Sequence, residues 1–223
     1  MGTGPVGQAL AGKLAELGHD VTVGTRDPET TLARAELDYF GNPPFKVWLA
    51  GRQRVELATA AAAAERAELV VNATNGSGSL PMLELAGDEQ LAGKVLVDVS
   101  NPLDFSQGLP PGLFVCNTDS LAEQVQRRFP QTKVVKALNT MNCDVMVDPG
   151  RLAGEHDVFL CGEDCAAKTA VRELLRSFGW PEPRIVDLGG IESARGMEMY
   201  VAFWLRLMGA LGTPHFNIAL VRE

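Results

Sequence analysis

Apolar residues stand at positions 6, 10, 14 and 17 of segment 5–18. Steps of three and four place them on one face of a helix, which Gly18 closes. Directly after it, 19–25 carries Val21 and Val23 in the alternation of a strand. The two periods then trade places along the chain. The pattern predicts a weaker helix over 28–40, an irregular excursion with two prolines over 41–54, a strand over 55–59 and an alanine-rich helix over 60–67. Strands follow at 69–74, 94–100 and 133–139, with helices at 80–92 and 121–129 between them and a loop at 101–112. Further strands are predicted at 157–161 and 184–188 around a helix at 166–178, and a last helix at 193–211. Strand and helix alternating in this way predict an α/β fold, a doubly wound, mostly parallel sheet covered by helices on both faces.

Chemistry enters at the first residues. Gly2, Thr3, Gly4, Pro5, Val6 and Gly7 spell G-x-G-x-x-G and run straight into the first predicted helix. Glycines there permit a tight turn and close approach of a pyrophosphate, and the helix N-terminus adds free N–H groups and a positive dipole end. With the strand that follows, the motif predicts a Rossmann-type dinucleotide site. Where NAD-specific sites place an acid at the end of the second strand, this chain has Gly24, Thr25 and Arg26. An acid would repel a 2′-phosphate, whereas Thr25 and Arg26 offer donors, so NADP(H) is expected rather than NAD. The competing reading of Arg26 is a solvated turn residue paired with Asp27 or Glu29.

Ligands in open α/β sheets lie beyond the carboxyl ends of the strands. Polar residues collect at three such ends: Asn72, Thr74 and Asn75, with Ala73 among them; Ser100 and Asn101; Asn139, Thr140 and Asn142. The competing reading of any one of them taken singly is a cap or an Asx-turn. The last helix carries Met197, Met199, Tyr200, Phe203, Trp204, Leu207 and Met208, a surface suited to core, to a dimer interface or to the wall of a pocket for a flat ring.

Composition narrows the classes. A net charge of -8 disfavours nucleic acid and anionic membranes as partners. The apolar stretch 197–211 is broken by Glu198 and Arg206 and is shorter than the ~20 residues that span a bilayer, and no basic leader precedes an apolar run. A cytoplasmic protein with reduced thiols is expected. Cys161 and Cys165 form a C-x3-C pair without a nearby histidine, so no metal site is expected. No Ser/His/Asp triad or carboxylate pair is visible. Hydride transfer tolerates that, because a nicotinamide carries the chemistry and the protein need only position the reactants and exclude water. No catalytic side chain is therefore assigned.

Taken in order, Gly2 to Gly7, Val23 to Arg26, Asp98 to Pro102, Lys136 to Thr140 and Val158 to Gly162 resemble the NADPH-dependent reductases of the deazaflavin coenzyme F-420. More distantly they are similar to the oxidoreductase domain of membrane metalloreductases. The resemblance implies a Rossmann domain with a small C-terminal extension, residues 1–140 binding NADP and 141–223 packing on it and closing the acceptor site. It implies hydride exchange between NADP(H) and a small-molecule acceptor, a deazaflavin or flavin, in a homodimer. Thr3, Thr25 and Arg26 would then hold the 2′-phosphate and Thr74 would lie near the nicotinamide. Asn101, Pro102, Asn139, Thr140, Met141, Trp204 and Leu207 would border the acceptor ring. Thr30 replaces a second basic residue and Asn139 a histidine of the deazaflavin reductases, the latter as in the flavin-using metalloreductases. The alternative is a non-catalytic NADP sensor or scaffold.

One element is missing from this pattern. A Rossmann glycine loop joins the first strand to the first helix, yet only Met1 precedes Gly2. The expectation is a sheet without its central first strand, whose two neighbours each lose a row of hydrogen bonds, as in a chain shortened at its N-terminus by about six to ten residues.

Overall fold

A computed structural model describes residues 1–37 and 41–221. In chain order the elements are α1 (Pro5–Glu16), β1 (Val21–Thr25), α2 (Pro28–Ala33), α3 (Phe45–Leu49), β2 (Val55–Thr59), α4 (Ala60–Arg66), β3 (Leu69–Asn72), α5 (Gly76–Ala86) and α6 (Asp88–Leu91). They continue with β4 (Val95–Asp98), β5 (Leu103–Asp104), β6 (Gly112–Leu113), α7 (Leu121–Arg128), β7 (Lys133–Ala137), α8 (Cys143–Val147), β8 (Val158–Gly162), α9 (Cys165–Ser177), β9 (Ile185–Asp187) and α10 (Ala194–Leu211).

Strand-to-helix turns end on side chains that satisfy the first free amides of the next helix. Thr59 accepts from Ala62, Asn75 from Gly78, Ser120 from Glu123, Asn142 from Asp144 and Asp164 from Ala167. Asn75 and Asn142, two of the polar residues grouped at strand ends, are thus helix caps. Helix α1 closes as its spacing predicts: Gly18, at φ +95°, donates its N–H to the Ala15 carbonyl.

Strands β3, β4, β7, β8 and β9 form one sheet in that order, parallel at every pair except β7 with β8. Period two divides its side chains. Leu96, Val134 and Cys161 join Leu83, Leu121 and Phe129 on one face, while Val97, Val135 and Leu160 join Leu10, Val145 and Trp180 on the other. The sheet is therefore buried on both sides, and strands from either side of residue 140 share it.

Four boundaries differ from the sequence pattern. The excursion at 41–54 contains α3, whose Phe45 packs with Val23 and Val55. The helix expected over 28–40 ends at Ala33, and positions 38–40 lie outside the described residues. The helix expected at 80–92 begins at Gly76 and breaks at Gly87, at φ +93°. Helix α8 was hidden in a stretch without a period.

Strands β1 and β2 pair with each other in parallel and, among the described residues, with neither edge of the larger sheet. Met1 stands between the two sheets. Its amino group donates to the Val71 carbonyl at 2.6 Å, its own carbonyl accepts from Ala73 at 2.9 Å, and Gly2 donates to Gly24 at 3.1 Å. The expected lack of pairing between β1 and β3 is present among the described residues, and Met1 and Gly2 bridge the two sheets at this end.

Candidate functional site

Gly4 caps α1, Pro5 is its first helical residue, and no side chain bonds the amides of the first turn. With no side-chain cap, that first turn offers N–H groups and a dipole end to a bound anion. Gly2, at φ +107°, packs so closely on β3 that a Cβ there would stand 2.5 Å from the Ala73 carbonyl oxygen; one on Gly7 would stand 2.2 Å from that of Gly2. A Cβ on Gly4 would meet nothing within 4 Å, so the middle of the loop is open. Thr3 contributes its carbonyl, which accepts from Gln8 at 2.9 Å, and Val6, in the first turn of α1, packs against the cluster of Leu10, Val97 and Val145.

At the end of β1 the two phosphate candidates behave differently. Arg26 is exposed and makes neither a hydrogen bond nor an ion pair among the described residues; Asp27 instead caps α2 through Glu29 and Thr30. Thr25 is buried, with its hydroxyl 2.9 Å from that of Thr31. Thr31 gives its own proton to the Asp27 carbonyl at 2.8 Å, so the shared bond takes the proton of Thr25. The free cationic donor is Arg26.

The polar strand ends form a continuous buried chain. Thr74 donates to the Asn72 side-chain oxygen at 2.7 Å, and the Asn72 amide donates to Ser79 at 2.5 Å and to Asp98 at 2.8 Å. Asp98 also accepts from the Ser100 hydroxyl at 2.7 Å. Lys136, with no exposed surface, holds Asp98 at 2.7 Å and Glu198 at 2.8 Å and donates to the Ser100 carbonyl. Glu198 in turn accepts the Leu121 and Ala122 amides at the start of α7. Burial alone would pull the Lys136 ammonium down, but the two carboxylates outweigh it and raise its pKa above the ordinary value. Lys136, Asp98 and Glu198 were not singled out from sequence as site residues. Their signal was charge inside otherwise apolar elements, Lys136 in β7, Asp98 in β4 and Glu198 in α10.

On the far side of this chain, Asn101 and Asn139 clasp each other. The Asn101 amide donates to the Asn139 carbonyl at 2.8 Å, and the Asn139 amide donates to Asn101 at 2.9 Å and to the Met197 carbonyl at 3.0 Å. Because both its bonds are donated, the Asn139 side-chain oxygen is left without a partner, as is the Thr140 hydroxyl. Both residues are buried, 2% and 3% exposed, and such atoms normally find a donor. Leu138, just before them, is fully buried at φ +65°, a left-handed conformation costing on the order of 1 kcal/mol for a branched side chain. Pro102 and Met141 are buried beside these strand ends. The structure thus brings Asn101, Pro102, Asn139, Thr140 and Met141 together. Trp204 and Leu207 lie further along α10, Trp204 about 10 Å beyond Met197 by helical rise. One face of Trp204 is stacked on Phe216, with ring centroids 5.4 Å apart. Among the described residues no cluster of His, Cys, Asp and Glu is placed to hold a metal, and no helix is long and apolar enough to cross a membrane.

This geometry can be set beside known proteins. The sequence profile of the coenzyme F420-dependent NADP oxidoreductases matches residues 1–102. A crystal structure from Arthrobacter sp. FB24, carrying the provisional name F420-dependent NADP reductase, superposes with a TM-score of 0.94 at 57% identity, over 99% of this chain and 97% of that one. The chain belongs to this family. Membership makes it an NADP-linked oxidoreductase of Rossmann type. Among other relatives of the F420-dependent NADP oxidoreductases, the F420-dependent NADP reductase of Methanothermobacter marburgensis is 27% identical, over 92% of this chain and 89% of its own length. The rat metalloreductase STEAP3 is 29% identical over 96% of this chain, which spans 37% of that protein.

Proposed function

We propose that the protein moves a hydride between NADP(H) and a deazaflavin or flavin ring bound at the ends of β4 and β7. The residues fit the dinucleotide: an open glycine cradle at Gly4, uncapped amides at the start of α1 and an unpaired guanidinium at Arg26. Gly2 to Gly7 would hold the pyrophosphate, Arg26 the 2′-phosphate, and Ala73 and Thr74 the nicotinamide end, with Asn72 fixing Thr74 from beneath. When bound, the nicotinamide supplies the hydride. The chain's own part is to hold the acceptor ring in line and keep water out.

The observation that carries the acceptor assignment is that two of the five unpartnered buried side-chain atoms among the described residues, the Asn139 side-chain oxygen and the Thr140 hydroxyl, stand next to each other beside Asn101 and Pro102. An acceptor and a hydroxyl side by side suit the imide edge of a flavin or deazaflavin, where an N–H is flanked by carbonyls. Trp204 and Leu207 would close the acceptor site from α10.

The test is NADPH oxidation with deazaflavin, flavin mononucleotide and a simple quinone in parallel. Turnover with a ring acceptor, and an Asn139→Leu variant whose KM for that acceptor rises while NADPH binding is unchanged, is the expected result. NADPH binding without turnover on any acceptor would instead support a sensor or scaffold.

A further inference from the structure

The five buried side-chain polar atoms that lack a partner among the described residues lie on three segments: Asn139 and Thr140 at the end of β7, Tyr200 and Trp204 on α10, and Asn217 on the tail after it. The tail ties these segments together. Phe216 stacks on Trp204, and the Asn217 amide donates to the His156 Nδ1 at 2.8 Å and to the Asp157 carbonyl at 2.9 Å. Because β8 runs antiparallel to β7, with Leu160 opposite Ala137, His156 and Asp157 just ahead of β8 stand at the same edge of the sheet as Asn139 and Thr140. The tail therefore runs past the proposed acceptor site on its way from α10 to β8.

Just before Phe216 stands His215. Its Nε2 lies 3.0 Å from a carboxylate oxygen of Asp144, the second residue of α8 and four positions past Thr140. The partners are 71 residues apart in the chain, so no local pattern shows them as a pair. The His215 backbone N–H donates to the Thr213 hydroxyl at 3.1 Å, and its Nδ1 has no partner among the described residues. A carboxylate on Nε2 keeps a proton on that nitrogen in both charge states, so the proton that comes and goes is the one on Nδ1. The two side chains are 41% and 44% exposed, and solvent can therefore replace that proton. The titratable groups nearby do not compete for this task. Burial raises the Cys143 thiol of α8 and the Tyr200 phenol of α10 above their ordinary values, which keeps both protonated near neutrality. His156 has both ring nitrogens engaged, on Asn217 and on the Pro149 carbonyl, and Asp157 is held by the Leu220 amide and Arg184. Arg151, beyond α8, is an arginine, a side chain that does not deprotonate in proteins.

We infer, granting the hydride transfer proposed above, that His215, held by Asp144, is the group that exchanges a proton with the acceptor ring. The balance of the reaction calls for one. When the C4–H bond of NADPH breaks, both its electrons leave with the hydrogen, and the ring that receives them gains one negative charge, spread over the nitrogen and carbonyl next to its imide edge. The His215 imidazolium gives its Nδ1 proton to that ring nitrogen. The electron pair of the broken N–H bond stays on the imidazole, which takes a new proton from water. In the reverse direction neutral His215 accepts the proton as the hydride returns to NADP. Asn139 and Thr140, proposed to meet the imide edge, lie at the same end of the site as Asp144, so the charge develops on the side where His215 stands.

The chain has three histidines, so their ring signals are readily told apart by NMR. Adding oxidised flavin mononucleotide or oxidised deazaflavin should move the His215 signals, and the titration midpoint of His215 should fall in Asp144→Asn, where the imidazolium loses its carboxylate. In single-turnover reduction of the same acceptors by NADPH, the rate should fall as pH rises through that midpoint. His215→Gln keeps an N–H for Asp144 but has no proton to trade. It should remove this limb of the profile and slow hydride transfer near pH 7 by about 100-fold, with NADPH binding unchanged. Imidazole added to His215→Ala should restore part of the rate. A pH profile in His215→Gln identical to that of the unaltered chain, or His215 signals that stay fixed while the acceptor binds, would overturn the inference and leave the hydride transfer itself standing. Absence of turnover with either ring in the unaltered chain would overturn both.

Discussion

Two side chains at the end of β1 show how far a residue's type defines its task. Arg26 was singled out from sequence by its position, since the end of the second strand is where a 2′-phosphate arrives in this fold. Being exposed and unpaired, it loses no existing partner on binding a phosphate. Arg26→Ala should weaken NADPH by about 1.5–3 kcal/mol and leave NADH nearly unchanged, as read by titration calorimetry. Equal losses for both cofactors would assign Arg26 to the fold. Thr25 was not readable to the same depth, because its proton goes to Thr31, a partner set by the turn into α2. A second residue-scale expectation concerns pH. The Met1 amino group has a pKa of about 6 in the folded chain against 8.0 in the open. Between those values the unfolded chain binds more protons, so stability rises as pH climbs from 6 to 8 and is lost as it falls back. The full difference is about 2–3 kcal/mol. Denaturant midpoints at pH 6 and pH 8.5 measure it, and acetylating the amino group should flatten the difference. A midpoint indifferent to pH in the unmodified chain would count against a buried ammonium.

Among the elements, α10 is the one whose work sequence periodicity describes least. Its apolar run was visible, and so was Glu198 interrupting it. That Glu198 serves two other elements was not visible, because Lys136 and Leu121 lie 62 and 77 residues away and long-range pairing leaves no local pattern. The carboxylate ties α10 to β7 through Lys136 and caps the amides of Leu121 and Ala122 at the start of α7. Glu198→Ala would leave a buried ammonium half-compensated and two amides unpaired. Breaking one partner of such a pair costs about 3–5 kcal/mol. Equilibrium urea unfolding should show a loss of that size, and one below about 1 kcal/mol would mean that water or a neighbour replaces the carboxylate. The same reasoning explains the strand-end polar residues, legible as a group but not by role. Asn75 and Asn142 are caps, Asn72 is enclosed by Ser79, Asp98 and Thr74, and among these described residues Asn139 and Thr140 keep a buried polar atom without a partner.

For the molecule as a whole, the decisive feature is that, among the described residues, the β1–β2 pair and the five-stranded sheet are separate sheets bridged by backbone bonds at the dinucleotide loop. That the glycine loop stands at the second residue was plain from the sequence, and the expected separation of β1 and β2 from the larger sheet is present among the described residues. The bridge at Met1 depends on backbone geometry that no side-chain pattern encodes. NADP(H) held as proposed would span this seam, with Arg26 on the β1 side and Ala73 and Thr74 on the β3 side. Binding would then clip together two units that otherwise open separately, and local opening is what amide exchange reads. At 100 times its Kd, NADPH should add about 2.7 kcal/mol to global stability. Protection should not be uniform: amides of β1 and β2 should slow more than those of β8 and β9, which lie on the other edge of the sheet. NADH, lacking the 2′-phosphate that Arg26 would grip, should slow β1 and β2 less than NADPH at equal occupancy. Hydrogen exchange by mass spectrometry on the free, NADH-bound and NADPH-bound chain measures all three states. If the two cofactors protect β1 and β2 alike, the phosphate grip does not act across the seam, and the stabilisation belongs to the pyrophosphate loop alone.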